Sequence, residues 1–152
     1  MYKVELIMNN QEETSRLGNK IADYLQGQEI IFLQGQLGAG KTFLARALIQ
    51  ALGYEGEVLS PSFILQNEYR ARFRVLHLDL YRLEEEAEIE ELGLEEYRGE
   101  YLWLIEWADR FPTYLPPPDL IISLYFVGEK ERRVVLEGPP WIRRLKNHVP
   151  GN

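Results

Sequence analysis

The segment GQLGAGKT, Gly35 to Thr42, follows the apolar run Ile30-Ile31-Phe32-Leu33 and is followed at once by the helix-like FLARALIQAL. A strand, a glycine-rich loop and a helix in that order are the arrangement of a phosphate-binding loop, the ordinary alternative being a glycine-rich turn before a helix. Gly35, Gly38 and Gly40 allow a tight turn that points backbone N–H groups inward, and the helix adds the positive end of its dipole. In such a loop Lys41 reaches the β- and γ-phosphates of a nucleotide and Thr42 offers a hydroxyl to Mg²⁺.

With 152 residues the chain is expected to form a single domain spanning 1–152, because at this size about two thirds of the unfolded surface can be removed from water. It contains no cysteine, which excludes a disulfide framework, a thiol nucleophile and thiolate metal sites. No stretch approaches the ~18 apolar residues of a membrane span, and the first residues lack the pattern of a signal peptide. A cytoplasmic location with no membrane association is therefore the expectation. The formal charge of −7 argues against independent nucleic-acid binding through a broad basic surface. The acidity is concentrated between Glu84 and Glu100, where nine glutamates accompany one arginine. Basic residues gather at Arg70, Arg72 and Arg74, at Arg132-Arg133, and at Arg143, Arg144 and Lys146. Each cluster also fits an ordinary solvated face.

Tyr2 to Met8 alternates as a strand does. Asn10 before Gln11-Glu12-Glu13 predicts an N-cap and an acidic first turn, with the helix running to about Gln26 and Gly27 ending it. Glu29 to Leu33 feeds the loop, and the helix from Lys41 is expected to stop near Leu52 at a left-handed Gly53. Phe63 to Tyr69 and Arg72 to Asp79 lie only two residues apart, which predicts antiparallel pairing. Within the second run Phe73, Val75, His77 and Asp79 share one face. A short helix is expected over 85–92, ended by Gly93. The compact run YLWLI, Tyr101 to Ile105, reads as a strand buried on both faces. Beyond Pro116-Pro117-Pro118, Leu120 to Val127 and Arg132 to Glu137 flank GEKE as a hairpin, and Pro139-Pro140 opens a last helix holding Trp141 to Lys146. The fold class is α/β, a three-layer P-loop NTPase-like arrangement with a mixed parallel and antiparallel central sheet flanked by helices.

A phosphate cradle needs a carboxylate on the metal side, usually at the C-terminal end of a neighbouring strand. Asp79 ends RVLHLD and Glu106 ends YLWLIE. The unbroken apolar character of 102–105 favours Glu106 as the acid nearer Mg²⁺, with Asp79 left to orient or deprotonate the attacking group. Capping of the following segment is the ordinary alternative for each. Ser60 and Ser62 flank Pro61 where other nucleotide switches keep a metal-sensing loop, and they equally suit a plain turn. His77 and His148 lack metal-ligand spacing, so His77 reads as a strand residue with a satisfied hydrogen bond. Trp107 follows Glu106, where it either shields the site or packs.

The order GQLGAGKT, Ser60-Pro61-Ser62-Phe63 leading to Asn67-Glu68-Tyr69, HLDLYRL (77–83), ELGLEEY (91–97) and Leu104-Ile105-Glu106-Trp107 resembles the bacterial tRNA threonylcarbamoyladenosine biosynthesis ATPases, the TsaE (YjeE) family. The match extends from Asn10 to Trp107, with Ser62 where that family more often has threonine. The resemblance implies an ATPase that binds ATP or ADP with Mg²⁺ and works with the proteins TsaB and TsaD. Together they modify adenosine 37 of tRNAs reading ANN codons, so tRNA is met indirectly, through the complex. It implies phosphate binding by Gly38, Ala39, Gly40, Lys41 and Thr42, with Gly35 and Phe43 beside them, and Mg²⁺ at Thr42 and Glu106. It further implies important roles for Asp79 and Trp107, and adenine contacts from the segment Asn9 to Glu12, with Asn10 and Glu12 foremost, and from Arg132.

The expected chemistry is in-line attack of water on the γ-phosphate, with Lys41, the loop amides and Mg²⁺ offsetting charge in a loose transition state and Glu106 and Asp79 as its acids. No internal arginine finger is evident, so hydrolysis is expected to be slow without partners. A small-molecule kinase using the same loop, and a nucleotide-dependent binding switch, are the alternative readings. The guanine-reading NKxD pattern is absent.

Overall fold

The computed structural model describes residues 1–59 and 66–147. In chain order its main elements are β1 (Tyr2–Met8), α1 (Gln11–Tyr24), β2 (Ile30–Gly35), α2 (Lys41–Ala51), β3 (Gln66–Arg70), β4 (Arg74–Asp79), α3 (Ala87–Glu91), β5 (Leu102–Glu106), β6 (Leu120–Phe126) and β7 (Arg132–Gly138). Short 3₁₀ helices cover Leu94–Tyr97, Ala108–Arg110 and Pro140–Asn147. The strands form one sheet in the order β1-β7-β6-β2-β5-β4-β3. The pairs β2–β5, β2–β6 and β4–β5 are parallel, whereas β1–β7, β6–β7 and β3–β4 are antiparallel. This is the mixed α/β sheet that the sequence predicts.

Side-chain alternation along the central strands builds the layers. In β2, Ile31 and Leu33 enter a cluster with Leu17 and Ile21 of α1 and Leu44 and Leu48 of α2, whereas Ile30 and Phe32 face Leu83, Ile89 and Phe111 on the other side. In β5, Leu102 and Leu104 join the first cluster while Trp103 and Ile105 join the second. Both faces of the sheet are thus covered, which is why these strands are continuously apolar. Each fully buried Leu, Ile or Phe contributes roughly 1.5–3 kcal/mol relative to exposure. The α1–α2 packing is close: a Cβ on Gly18 would stand 2.9 Å from the Ala47 Cβ.

Asn10 caps α1, its side chain accepting from the Glu13 N–H at 2.9 Å, while the Glu13 carboxylate accepts from the Asn9 N–H at 3.1 Å. The helix stops at Tyr24, before the predicted Gln26. The Glu29 carboxylate takes the N–H groups of Gln26, Gly27 and Gln28 at 2.8, 2.8 and 3.2 Å, drawing that segment out of the helix. α3 is also shorter than 85–92, because Glu88 accepts from the Glu84 and Glu85 amides at 2.8 and 3.3 Å. β4 begins at Arg74, since the Arg72 N–H donates to the Leu52 carbonyl at 2.8 Å instead of joining the ladder. The part of the predicted 63–69 strand before Gln66 lies outside the described residues. The last helix is 3₁₀ in form, with Ile142 and Leu145, three residues apart, both fully buried. Among the described residues no helix is long and apolar enough to cross a membrane.

Candidate nucleotide site

The glycine-rich loop leaves β2 at the C-terminal edge of the parallel strands and enters α2. Gly35 has φ 144°, and a Cβ there would stand 2.5 Å from the Leu124 carbonyl oxygen of neighbouring β6, so no side chain fits. Gly40, at φ 110°, precedes α2, whose first turn has neither a side-chain cap nor an acidic residue. Its first N–H groups and the helix dipole therefore remain directed at whatever anion the loop receives.

Lys41 is 5% exposed. Its Nζ donates to the carbonyl oxygens of Gly35 and Gln36, the latter at 3.3 Å, and sits 3.6 Å from the centroid of the Trp107 ring. Among the described residues it forms no ion pair. Burial pulls its ammonium below the ordinary lysine value, opposed by the negative charges of Glu106, Asp79 and Asp109. A buried cation held by carbonyls and an aromatic face is a group that an anionic ligand would satisfy better.

The acids arrive by strand geometry. On β4, Val75 belongs to the cluster facing α2, so His77 and Asp79, two and four residues on, point the same way. On β5, Leu102 and Leu104 do likewise, which directs Glu106 to that side. The parallel register sets Asp79 opposite Glu106. The Thr42 hydroxyl donates to the Glu106 carboxylate, Oγ1 lying 2.9 Å from Oε1 and 3.2 Å from Oε2. Asp79 accepts the Tyr81 N–H through Oδ1 at 2.9 Å. Burial raises the Asp79 carboxyl above the usual aspartate value; the Tyr81 amide bond pulls it back down, nearby Glu106 adds to the rise, and His77 and Lys41 oppose it.

Trp107 closes this cluster. It has φ 63°, the left-handed region, and its ring lies 4.9 Å from that of Tyr81. Arg110 donates to the Leu80 carbonyl at 3.4 Å and to the Tyr81 carbonyl, bracing that edge.

Beside the loop lies a cleft of roughly 580 Å³, the size of many small-molecule sites. Asn10, Gln11, Glu12, Gly38, Ala39, Gly40, Phe43 and Arg132 line it, joined by Thr14, Glu129 and Lys130, which sequence reasoning did not single out. The structure therefore gathers the selected residues into two neighbouring groups. Gly35, Lys41, Thr42, Asp79, Glu106 and Trp107 gather around the loop and the start of α2, and Asn10, Glu12 and Arg132 border the cleft. The Arg132 guanidinium is engaged with main chain: Nε donates to Ala39 at 3.1 Å and Nη1 to Gly128, Glu129 and Glu131 at 3.3, 3.1 and 2.9 Å. It fastens the β6–β7 hairpin to the loop. Glu12 pairs with Arg16 at 2.8 Å on the exposed side of α1. Arg70, Arg72 and Arg74 are exposed around the β3–β4 turn. Ser60, Ser62 and His148 lie outside the described residues.

His77 is the strand residue with a satisfied hydrogen bond that the sequence predicts. It is fully buried, and its Nε2 lies 2.7 Å from Glu106 Oε2, while Nδ1 has no hydrogen-bond partner among the described residues. Strand periodicity carried the signal, since a residue two before Asp79 must share its face.

Residues 8–134 match the family model for the threonylcarbamoyl adenosine biosynthesis protein TsaE. A tRNA threonylcarbamoyladenosine biosynthesis protein TsaE of Rickettsia felis is 41% identical over 129 residues, covering 84% of this chain and 75% of that protein. The protein of the same name from Aquifex aeolicus is 36% identical over 133 residues, 86% and 92% of the two chains. Among solved structures, the crystal structure of YdiB from Bacillus subtilis superposes with a TM-score of 0.78 at 26% identity, covering 96% of this chain and 93% of its own.

Proposed function

The chain belongs to the TsaE family, whose name ties it to threonylcarbamoyladenosine biosynthesis, and we propose that it is an ATP hydrolase acting in that modification of tRNA, slow alone and accelerated by TsaB and TsaD. The observation that carries this reading is the Thr42 to Glu106 hydrogen bond at 2.9 Å, at the uncapped start of α2 and beside buried Lys41. It joins a loop suited to phosphate with a carboxylate suited to the metal that accompanies it.

These residues fit a nucleotide and Mg²⁺. Among the described residues no cluster of three or more His, Asp or Glu forms a metal site by itself. Thr42 and Glu106 would hold Mg²⁺ with the remaining positions left to water and phosphate oxygens, as this hard cation prefers. When bound, Mg²⁺ neutralises charge on the phosphates. The loop amides and Lys41 bind and orient the triphosphate, and Lys41 follows the charge that develops on the γ-phosphoryl oxygens. Asp79, across from Glu106, holds the attacking water and accepts its proton; a raised carboxyl is the better base near neutral pH. The cleft between Asn10 and Arg132 accommodates the base.

Two features favour dependence on partners. Arg132, bonded to the loop at Ala39, and Arg110, bonded at Leu80 and Tyr81 just beyond Asp79, are both committed to main-chain carbonyls. Around the loop, Leu37, Phe126 and Val127 are exposed apolar side chains, 71, 45 and 54% accessible, an arrangement suited to protein contact. Nucleoside analysis of tRNA from a reconstituted reaction tests the proposal. Multiple-turnover formation of threonylcarbamoyladenosine should require this protein, TsaB and TsaD together with ATP. Undiminished turnover without it, or with Lys41→Ala in its place, would reject the role.

A further inference from the structure

We propose that His77 is a positioning residue for Glu106, and that through it the protein sets how strongly nucleotide binding depends on a divalent cation. This rests on the nucleotide reading above.

His77 and Glu106 lie on adjacent parallel strands and point to the same face; His77 is in register with Leu104, which places Glu106 diagonally across from it. The Nε2 to Oε2 distance is 2.7 Å, and Glu106 also accepts from Thr42, so the carboxylate is the acceptor in both bonds. His77 therefore donates through Nε2–H. Its other nitrogen, Nδ1, is buried without a partner among the described residues. A histidine with one idle ring nitrogen serves an apolar interior worse than leucine or phenylalanine would, so its presence here is explained by the bond it does make.

That bond has a specific effect on the acid. A glutamate carries three side-chain torsions, and the Thr42 hydroxyl reaches both of its oxygens from the loop side only. His77 anchors Oε2 from within the sheet, which fixes the plane of the carboxylate and leaves Oε1, the nearer oxygen to Thr42, turned to the loop. Without His77 the carboxylate must be ordered anew each time a cation is taken up. Hydrogen-bond partners that orient a ligating group typically change metal affinity by about 10- to 100-fold.

The experiment measures binding of a non-hydrolysable ATP analogue by calorimetry across a MgCl₂ titration, for wild type, His77→Phe, His77→Gln and His77→Asn, with analogue affinity in EDTA and thermal melts as fold controls. Gln places an amide where Nε2 stands; Asn reaches only as far as Nδ1. The Mg²⁺ concentration giving half the maximal gain in affinity should rise at least about tenfold in His77→Phe and His77→Asn and return to within about threefold of wild type in His77→Gln, with affinity in EDTA unchanged. An unshifted midpoint in His77→Phe, or equal shifts in the Gln and Asn variants, overturns the inference. Should His77→Phe not fold, the Gln and Asn pair decides alone. If wild type binds no analogue at any Mg²⁺ concentration, the nucleotide reading fails instead.

Discussion

The Lys41 ammonium is stacked on the Trp107 indole, 3.6 Å from the ring centroid, and hydrogen-bonded to the carbonyl oxygens of Gly35 and Gln36. The side chain that would contact the terminal phosphates is thus folded back against its own loop. Such contacts are individually worth about 0.5–2 kcal/mol, less than a phosphate offers a buried cation.

Nucleotide should therefore draw Lys41 off the indole and change tryptophan emission. Trp103 is buried in β5 and Trp141 stacks on Tyr24 at 4.8 Å, both away from the loop. The signal on titrating ATP should be present in wild type and absent in Trp107→Phe, with saturation still visible by calorimetry. Retention of the full signal in Trp107→Phe would place the movement elsewhere.

Asp79 should trade stability for activity. Its folded value is raised by burial, so its contribution favours the fold fully below the unfolded value of about 3.8 and is lost as pH rises through the folded value. Asp79→Asn keeps an oxygen for the Tyr81 N–H and removes that loss. The variant should match wild type in melting temperature near pH 4 and exceed it at pH 7.5, while hydrolysis within the complex falls roughly a hundredfold or more. A lower melting temperature at pH 7.5 would contradict the sign.

Two glycines should separate fold from site. Gly18→Ala overpacks the α1–α2 contact and should cost about 1–3 kcal/mol in denaturant unfolding with nucleotide affinity retained. Gly35→Ala meets the Leu124 carbonyl at 2.5 Å in a left-handed backbone and should damage affinity as well as stability. Equal loss of affinity in both would show that the loop is not locally determined.

Leu37 and Val127 should matter only in company. Leu37→Asp and Val127→Asp replace exposed side chains and should leave melting temperature and analogue affinity within error. Association with TsaB and TsaD, followed by light scattering, should weaken at least about tenfold per site if these residues form the contact. Unchanged assembly would return them to ordinary surface.

What was legible in the sequence was whatever local chemistry determines. The loop, β5 and the antiparallel β3–β4 pair could be read because apolar runs, glycine spacing and a two-residue turn are local signals. The edge position of β1 could not: its partner is β7, paired from Tyr2 opposite Gly138 to Met8 opposite Arg132, and nothing in YKVELIM names a strand so distant. In the sheet β7 and β6 stand between β1 and β2, although β1 and β2 follow one another in the chain. Arg132 shows the same limit. Its type announces a charge, but only the fold reveals that the guanidinium is spent on Ala39 and the hairpin carbonyls. Asp79 and Glu106 stood out as acids ending strands, whereas the bond between His77 and Glu106 depends on parallel register, which composition does not encode.

Thr42 and Glu106 meet across 64 residues of sequence. During synthesis the loop and α2 emerge from the ribosome well before β5 exists, so a nascent chain carries the glycine-rich loop without its acid. Only when β5 inserts between β2 and β4 do the two halves coincide. Joining of Thr42 to Glu106 is thereby a late event in the making of each molecule.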